Sequence, residues 1–279
     1  MSDASQKADA LQEARDNAER TYNAAADCFD AAPLSFWERY GRRTVERMKL
    51  RKGARVLDVC CGSGASALPA ARAVGKRGSV IAIDLAEELL HLARIKASVA
   101  QLENVEFERA DMTSLGHADA RFDAIICGFG IFLVPDMEAQ VAELWRMVAR
   151  NGQLAITTWG RNFWAPVYEI WLSNLRRIRP DLHTSFNPWD RITTVDAVRK
   201  LMHDGGVTEA RVEEEDGFQE LRFAEDFWTI AKGSGLRWAI EQMTQDEADE
   251  LKRCVLAEIE IHRADQIETN VIYALARKS

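Results

Sequence analysis

RVLDVCCGSGASALPA, residues 55–70, places a glycine-rich turn directly after a short apolar run. The run at 55–59 is predicted to be a buried strand, and 65–74 is predicted to be the helix that follows it. Pro69 does not argue against this helix, because the first-turn amides of a helix have no internal partner. The order of strand, glycine turn and helix therefore predicts a ligand site at the turn.

The same alternation of strands and helices continues through most of the chain. Its strands are near-continuous apolar runs, which favours βαβ units and a parallel sheet covered on both faces. We therefore expect an α/β fold with a Rossmann-like, doubly wound sheet of about seven strands, the last of them antiparallel. The predicted strands are 55–59, 79–83, 105–109, 124–127, 153–158, 208–215 and 270–277, and the predicted helices are 5–30, 35–49, 65–74, 86–101, 137–148 and 195–206.

Two regions rich in Trp and Phe, 160–194 and 217–265, interrupt this alternation. Together with the N-terminal helices, we expect them to form a helical cap over the carboxyl ends of the strands, where open α/β sheets bind ligands. The predicted division is listed along the chain: cap helices at 1–50, core at 51–160, cap insertion at 161–194, core at 195–216, helical cap insertion at 217–266 and the last core strand at 267–279.

Composition narrows the class of protein. The chain has 279 residues, of which 47% are hydrophobic, so a sizeable core is expected and wholesale disorder is not. A net charge of −8 argues against broad contact with nucleic acid. The sequence contains no apolar run long enough to span a membrane and no signal-peptide pattern. Five cysteines, an odd number, argue against a disulfide framework and favour a cytoplasmic protein.

The residues around the turn separate four classes of ligand: a metal ion, a dinucleotide, a nucleotide phosphate and S-adenosylmethionine. Cys60 and Cys61 are adjacent, so their side chains point in different directions at a strand end. No CxxC or HxxxH pattern supplies further ligands, so no metal is expected. The turn lacks the first glycine of the GxGxxG pattern, and Asp58 would repel a phosphate. The same carboxylate favours the ammonium group of S-adenosylmethionine, whose carboxylate suits the amides at the following helix N-terminus.

Acidic residues lie at the ends of three successive predicted strands, and Asp58 is the first of them. Asp84 comes 20 residues after Gly64 and can accept hydrogen bonds from a ribose diol. Asp111 can accept from the exocyclic amine of adenine, with Met112 and Leu85 beside the ring. Each acid alone could be a helix N-cap or a solvated strand end. Three acids in this order are more specific than a glycine turn alone.

Five segments of the chain, VLDVCCGSG, IAIDLAEELL, ADMTSL, FDAIICGFGIFLVPD and LWRMVARNGQLAITTW, resemble successive motifs of class I S-adenosylmethionine-dependent methyltransferases. The resemblance covers about residues 35–160 and is strongest to the small-molecule branch similar to the UbiE/COQ5 and type 11 enzymes. It departs from the family at Cys60, where the family usually has a glycine. A cysteine at this position needs a negative φ or accepts strain.

The resemblance implies a role for each matching residue. Asp58, Cys60, Gly62 and Gly64 would hold the methionine part of the cofactor. Asp84 and Leu85 would hold the ribose, and Asp111 and Met112 the adenine. Cys127, Gly128 and Phe129 would lie beside the transferred methyl group. Tyr22, in TYNAAADCF, resembles an N-terminal tyrosine that closes over the cofactor. The implied product is S-adenosylhomocysteine.

Methyl transfer is an in-line displacement with a neutral leaving group, so alignment and desolvation can supply much of the catalysis. A phenol, enol or acid as acceptor would still need a base, or would have to bind as the anion. His183 in RPDLHTSFNPW is the strongest candidate base, although it could equally be a surface-loop histidine. Tyr168 and Asp190 are weaker candidates.

The predicted cap supplies further candidates for binding an acceptor. Its aromatic residues favour a core for the insertions, and a few of them could line an acceptor pocket. These aromatic residues are Trp159, Phe163, Trp164, Trp171, Phe186, Trp189, Phe227 and Trp228. The arginines at 176, 177 and 179 favour a solvated helix face, and could also hold an anionic acceptor.

The sequence therefore predicts a methyltransferase acting on a small molecule, with O- or N-methylation preferred. C-methylation in a quinone-type or other natural-product pathway is an alternative, as is a binding protein of the same fold without catalysis. An NAD-dependent oxidoreductase is disfavoured by Asp58 and by the missing glycine. The sequence leaves an oligomer open.

Overall fold

The computed structural model describes residues 3–183 and 187–279, so Phe186 lies outside the described part of the chain. Within those ranges, the helices are α1 (Asp3–Ala25), α2 (Phe36–Met48), α3 (Ala67–Val74), α4 (Glu87–Val99), α5 (Met137–Met147), α6 (Val167–Ile178), α7 (Val195–Asp204), α8 (Ala224–Lys232), α9 (Arg237–Glu241) and α10 (Gln245–His262). The strands are β1 (Arg55–Val59), β2 (Ser79–Asp84), β3 (Val105–Arg109), β4 (Phe122–Gly128), β5 (Val148–Trp159), β6 (Ala210–Glu215), β7 (Phe218–Glu220), β8 (Gln266–Glu268) and β9 (Val271–Arg277). None of these helices combines the length and the apolar character needed to cross a membrane.

Seven strands form one sheet in the order β3-β2-β1-β4-β5-β9-β6. The neighbours from β3 to β5 pair in parallel, whereas β9 runs antiparallel to both β5 and β6. This confirms the predicted α/β class, the doubly wound sheet and the antiparallel last strand. β1 lies between β2 and β4, so the strand order reverses there. A ligand crevice is expected at the carboxyl ends of these strands.

The central strands are buried on both faces, as their apolar sequences predict. In β1, Val56, Leu57, Asp58 and Val59 are all buried. The buried face of α3, on one side of the sheet, consists mainly of small residues. The backbone of α2 can therefore come close to the start of α3. A Cβ added to Gly41 of α2 would lie 2.5 Å from the backbone of Ala65. This close approach brings α2 against the turn that follows β1.

The insertion between β6 and β9 differs from its prediction. We expected helices alone at 217–266, but β7 and β8 pair antiparallel at the base of the insertion, with α8, α9 and α10 between them. The pair is tied to α2, because Arg39 donates from Nη2 to the Phe218 carbonyl at 3.0 Å. Strands of three residues are too short to show an alternating pattern, which explains why the sequence analysis missed them.

Helix bounds also shift in the N-terminal region. The first helix ends at Ala25 rather than at residue 30, and a turn carries the chain across the carboxyl edge of the sheet. In the cap, Trp164, Trp171 and Phe227 are almost fully buried, so these rings form the core of the insertions.

Candidate cofactor cleft

A cleft opens at the carboxyl ends of β1 to β4, under α1 and beside α2. It brings together most of the side chains that the sequence predicts for a cofactor. Those that line it are Tyr22, Cys60, Gly62, Asp84, Leu85, Asp111, Met112, Gly128 and Phe129. Asp58, Gly64 and Cys127 were predicted with them but do not line it.

The turn after β1 has left-handed backbone at three positions. Cys60 has φ +55°, Gly62 has +52° and Gly64 has +89°. The two glycines adopt this conformation freely, whereas for Cys60 it costs about 1–2 kcal/mol. The strain that the sequence left open is therefore present. This backbone conformation places the Cys60 thiol on the cleft floor.

Gly130 makes room for that thiol. A Cβ built on Gly130 would lie 2.5 Å from the Cys60 Cβ and 2.6 Å from its Sγ, closer than real Cβ contacts. The Cys60 Sγ also lies 3.5 Å from the sulfur of Met112. Contact with Cys127 and burial raise the pKa of the Cys60 thiol well above its usual range. A raised pKa makes a thiol a weaker nucleophile, because the thiolate is the reactive form.

Asp84 ends β2 and joins the turn to the next helix. Its Oδ2 accepts from the Gly62 amide at 2.8 Å, and its Oδ1 accepts from the Ala86 amide at 2.9 Å. Burial raises the pKa of this carboxyl, and the backbone hydrogen bonds oppose that rise. Each oxygen keeps a second acceptor site. This geometry suits a carboxylate that binds a diol.

Asp58 lies beneath the cleft instead of in its wall. It is fully buried, and its Oδ2 accepts from the Ser66 hydroxyl at 2.6 Å. Among the described residues, its Oδ1 has no hydrogen-bond partner. Burial raises the pKa of this carboxyl to about 7. A buried oxygen without a partner fits a site whose ligand brings a cation or a donor close to it. The hydrogen-bond partner of Asp58, Ser66, does line the cleft.

Asp111 follows β3 and is held by its own turn. Its Oδ1 accepts from the Thr113 amide at 2.9 Å, and its Oδ2 accepts from the Thr113 hydroxyl at 2.5 Å. The Nε of Arg15, from α1, lies 3.1 Å from the same Oδ2 in an ion pair. Arg15 also lines the cleft, and the sequence analysis missed it. A signal was present, because Arg15, Ala18 and Tyr22 share one helix face.

Tyr22 forms part of the cleft roof on that same helix face. Burial, reinforced by the negative charge of Asp84, raises the pKa of its hydroxyl far above the usual range. The ring packs edge-on against Phe29, with centroids 6.4 Å apart. Tyr22 lines the cleft, and its role in closing over a cofactor stays a prediction.

The candidate bases do not reach the cleft. Nε2 of His183 lies 2.9 Å from Nη2 of Arg176, and the Tyr168 hydroxyl donates to Asn187 at 3.3 Å. Burial raises the pKa of Tyr168 to about 12. Asp190 accepts from the Asn187 amide at 2.7 Å. None of the three lines the cleft, and a role for any of them as the base stays a prediction.

The arginine cluster of α6 is occupied by carboxylates. Arg179 pairs with Asp181 and Glu247, and Arg177 pairs with Glu250. Arg176 is the partner of His183 described above. These contacts agree with a solvated, paired helix face rather than with a free anion site.

Aromatic rings line one side of the cleft and lead into the cap. Trp37 stacks on Phe29 with centroids 5.5 Å apart and meets Phe129 edge-on at 5.3 Å. Phe129 contacts Trp159 at 4.5 Å, and Trp159 contacts Phe163 at 5.1 Å. The sequence analysis named the later rings but missed Phe29 and Trp37, since they lie in predicted N-terminal helices.

The reversed strand order, the glycine turn after β1, the acids at the ends of β1 and β2 and the acid just after β3 together define the class I methyltransferase type of Rossmann-like fold. A model of the ubiE/COQ5 methyltransferase family matches residues 5–176. The chain belongs to this family.

The curated relatives match over part of their length. Demethylmenaquinone methyltransferase of Listeria monocytogenes serotype 4a is 35% identical over 117 residues, which are 42% of this chain and 49% of the relative. The enzyme of the same name from Shouchella clausii is 34% identical over 111 residues, 40% of this chain and 47% of the relative. The chain thus spans about half the length of the curated relatives it matches.

Solved structures share the fold at low identity. Phosphoethanolamine N-methyltransferase 2 of Haemonchus contortus, in complex with phosphomonomethylethanolamine and S-adenosylhomocysteine, matches with a TM-score of 0.58 and 17% identity. The match covers 95% of this chain and 60% of that one. The [4+2]-cyclase SpnF matches with a TM-score of 0.54 and 22% identity, covering 86% and 80%. The fold is therefore shared by proteins named for different reactions, and the site must decide the function.

Proposed function

We propose that this protein transfers the methyl group of S-adenosylmethionine to a small-molecule acceptor bound in the cleft. The observation that carries the proposal is the placement of Asp84 and Asp111 in one cleft wall, with buried Asp58 beneath, opposite an aromatic surface. Membership of the ubiE/COQ5 methyltransferase family supports it.

The residues of the cleft have separate tasks in this proposal. Asp84 binds the ribose diol, and Asp111 accepts from the adenine amine. Asp58 provides negative charge below the turn for the ammonium group. S-adenosylmethionine supplies an electrophilic methyl group whose leaving group is neutral. Tyr22 and the aromatic wall exclude water and align the acceptor, which are the main requirements for this transfer.

The acceptor side favours a substrate that is itself nucleophilic. Besides Thr44, the described residues that line this side are apolar: Phe29, Trp37, Phe129, Leu133 and Val134. A flat aromatic ring packs well against such a wall. We therefore propose carbon methylation of an electron-rich ring, such as a hydroquinone, ahead of the O- or N-methylation that the sequence analysis preferred. The name demethylmenaquinone methyltransferase, carried by the curated relatives, points the same way.

Calorimetric titration tests the cofactor first. S-adenosylhomocysteine is expected to bind with micromolar affinity, and NADH is expected not to bind. Binding of NADH in place of S-adenosylhomocysteine would favour the oxidoreductase alternative and reject the proposal.

Transfer of a labelled methyl group tests the reaction. The protein is incubated with labelled S-adenosylmethionine and three acceptors: a reduced naphthoquinone lacking its ring methyl, a catechol and a primary aromatic amine. Mass spectrometry then locates the added methyl. Methylation at ring carbon supports the proposed acceptor class, and methylation at oxygen or nitrogen restores the original preference. Cofactor binding without transfer to any of a broad acceptor panel would indicate the non-catalytic alternative.

A further inference from the structure

Arg15 is the one guanidinium group among the described residues that line the cleft. Its Nε is buried and lies 3.1 Å from Oδ2 of Asp111, the carboxylate assigned above to the adenine amine, in an ion pair without a hydrogen bond. The Arg15 side chain is 38% exposed and that of Asp111 is 9% exposed. The pair therefore stands at the cleft edge, with the carboxylate on the inner side.

Within the part of the chain that the structure describes, the guanidinium donors of Arg15 make no hydrogen bond. None of the hydrogen bonds among the described residues uses its two Nη groups. Arginine presents its donors in a rigid planar fork, so fixing Nε against Asp111 also fixes the direction of the Nη groups. A hydrogen-bond acceptor beside the partner of Asp111 would meet these donors.

Adenine offers such an acceptor. Its exocyclic amine is a donor, and the ring nitrogens on either side of that amine, N1 and N7, are acceptors. A carboxylate next to a guanidinium complements this edge of adenine: the carboxylate accepts from the amine, and the guanidinium donates to a ring nitrogen beside it. Resting on the proposed function, we propose that Arg15 and Asp111 together recognise the adenine edge, Arg15 by donating to a ring nitrogen beside the amine.

The position of Arg15 on α1 has a second consequence. The cofactor would then touch both the sheet edge, through Asp111, and the N-terminal helix, through Arg15. The bound purine would then contact both elements, and α1 would contribute to the recognition of adenine as well as cover the cleft.

The chain provides a matched control for this inference. Glu19, one helical turn after Arg15, forms an ion pair with Arg109, two residues before Asp111. Both pairs fasten α1 to the end of β3, but neither Glu19 nor Arg109 lines the cleft. Arg15→Gln and Glu19→Gln each remove one such pair, and only the first removes donors from the cleft.

The experiment measures affinity for S-adenosylhomocysteine and for its 1-deaza and 7-deaza analogues by calorimetry. Each analogue replaces one ring nitrogen by CH and so removes one acceptor. In the wild type, one analogue is expected to bind about five- to tenfold more weakly than S-adenosylhomocysteine, the range of one exposed charge-assisted hydrogen bond. In Arg15→Gln this difference disappears, and S-adenosylhomocysteine itself binds about as weakly as that analogue.

Glu19→Gln is expected to keep the discrimination between S-adenosylhomocysteine and the analogue. Thermal melts of both variants confirm that the fold is retained. Unchanged discrimination in Arg15→Gln, or its equal loss in Glu19→Gln, would overturn the assignment of Arg15. If the wild type does not bind S-adenosylhomocysteine at all, the proposed cofactor fails, and this outcome is distinct from failure of Arg15 alone.

Discussion

At the scale of single residues, Asp58 makes the stability of the folded protein depend on pH. Burial raises the pKa of its carboxyl from 3.8 to about 7 in the folded protein, while the unfolded chain keeps the ordinary value. The folded state therefore holds a proton that the unfolded state releases. The stability that this proton contributes is complete below about pH 4 and is lost as the pH rises to about 7.

Asp58→Asn should remove this dependence. Without ligand, the melting temperature of the variant relative to wild type is expected to rise from pH 5 to pH 8. Calorimetric melts of both proteins from pH 5 to pH 8 measure this difference in melting temperature. The affinity for S-adenosylhomocysteine is expected to fall at pH 8, because the carboxylate that favours the ammonium is gone. A melting difference that stays constant with pH would contradict the assigned ionisation.

Cys60 and Gly130 form a coupled pair on the cleft floor. Gly130→Ala should destabilise the protein by about 1–3 kcal/mol, because its new Cβ overlaps the Cys60 side chain. Cys60→Gly relieves the left-handed backbone strain and also removes packing, so its own effect should be small. The double variant should recover most of the loss caused by Gly130→Ala. Urea unfolding measures the free energy of unfolding of the wild type, the two single variants and the double variant. Simple additivity of the two single effects would exclude the contact.

Much of the site could be predicted from single residues. Asp84 and Asp111 follow successive strands, and the carboxyl ends of parallel strands meet at one edge of the sheet. Asp58 follows the same rule but lies one layer deeper, because Ser66 takes its place in the cleft wall. Arg15 was missed although it shares a helix face with Tyr22, because the sequence of α1 does not show that this face lies beside the end of β3.

At the scale of elements, the C-terminal segment closes the end of α5. The Nζ of Lys278 donates to the carbonyl of Trp145 at 2.7 Å and to that of Val148 at 2.9 Å. These carbonyls lie at the C-terminal end of the helix, where the backbone has no internal donors and a cation is favoured. The amine lies 5.3 Å from the centre of the Trp145 ring as well.

Lys278→Met keeps the apolar stem and removes the ammonium. We expect a loss of about 1–2 kcal/mol in the free energy of unfolding, from the charged hydrogen bonds and the helix-end interaction. Lys76→Met, at an exposed position, is the matched control and should change little. Equal stability of the two variants would mean that the Lys278 contacts contribute nothing measurable.

The elements of the core were predictable because buried strands carry continuous apolar sequences. β1 and β3 match their predicted bounds, and β2 and β4 extend by one to three residues. β7 and β8 were not predictable, since their pairing depends on a contact between segments almost 50 residues apart. Their stability comes from the tertiary contact with α2, which no local pattern records.

At the scale of the whole molecule, α1 and the insertion meet over the cleft. Arg237 of α9 pairs with Asp27, just after α1, and the Glu88 amide of α4 donates to Asn23 at 3.1 Å. These contacts are polar and only partly buried, unlike the apolar packing of the sheet. Such contacts are weak one by one, so α1 is expected to open more easily than the core.

Hydrogen exchange should therefore report cofactor binding in α1. If α1 must open before S-adenosylhomocysteine is released, the ligand at about 100 times its dissociation constant raises the free energy of opening by about 2.7 kcal/mol. Amide exchange in the helix should then be roughly a hundredfold slower. The slowing is expected at 15–25 and at the turn 60–64. The surface groove beside α7, lined by residues including Arg199 and Arg277, is an internal control and should not respond. Slowing confined to the turn, with α1 unchanged, would show that the helix is not part of the binding site.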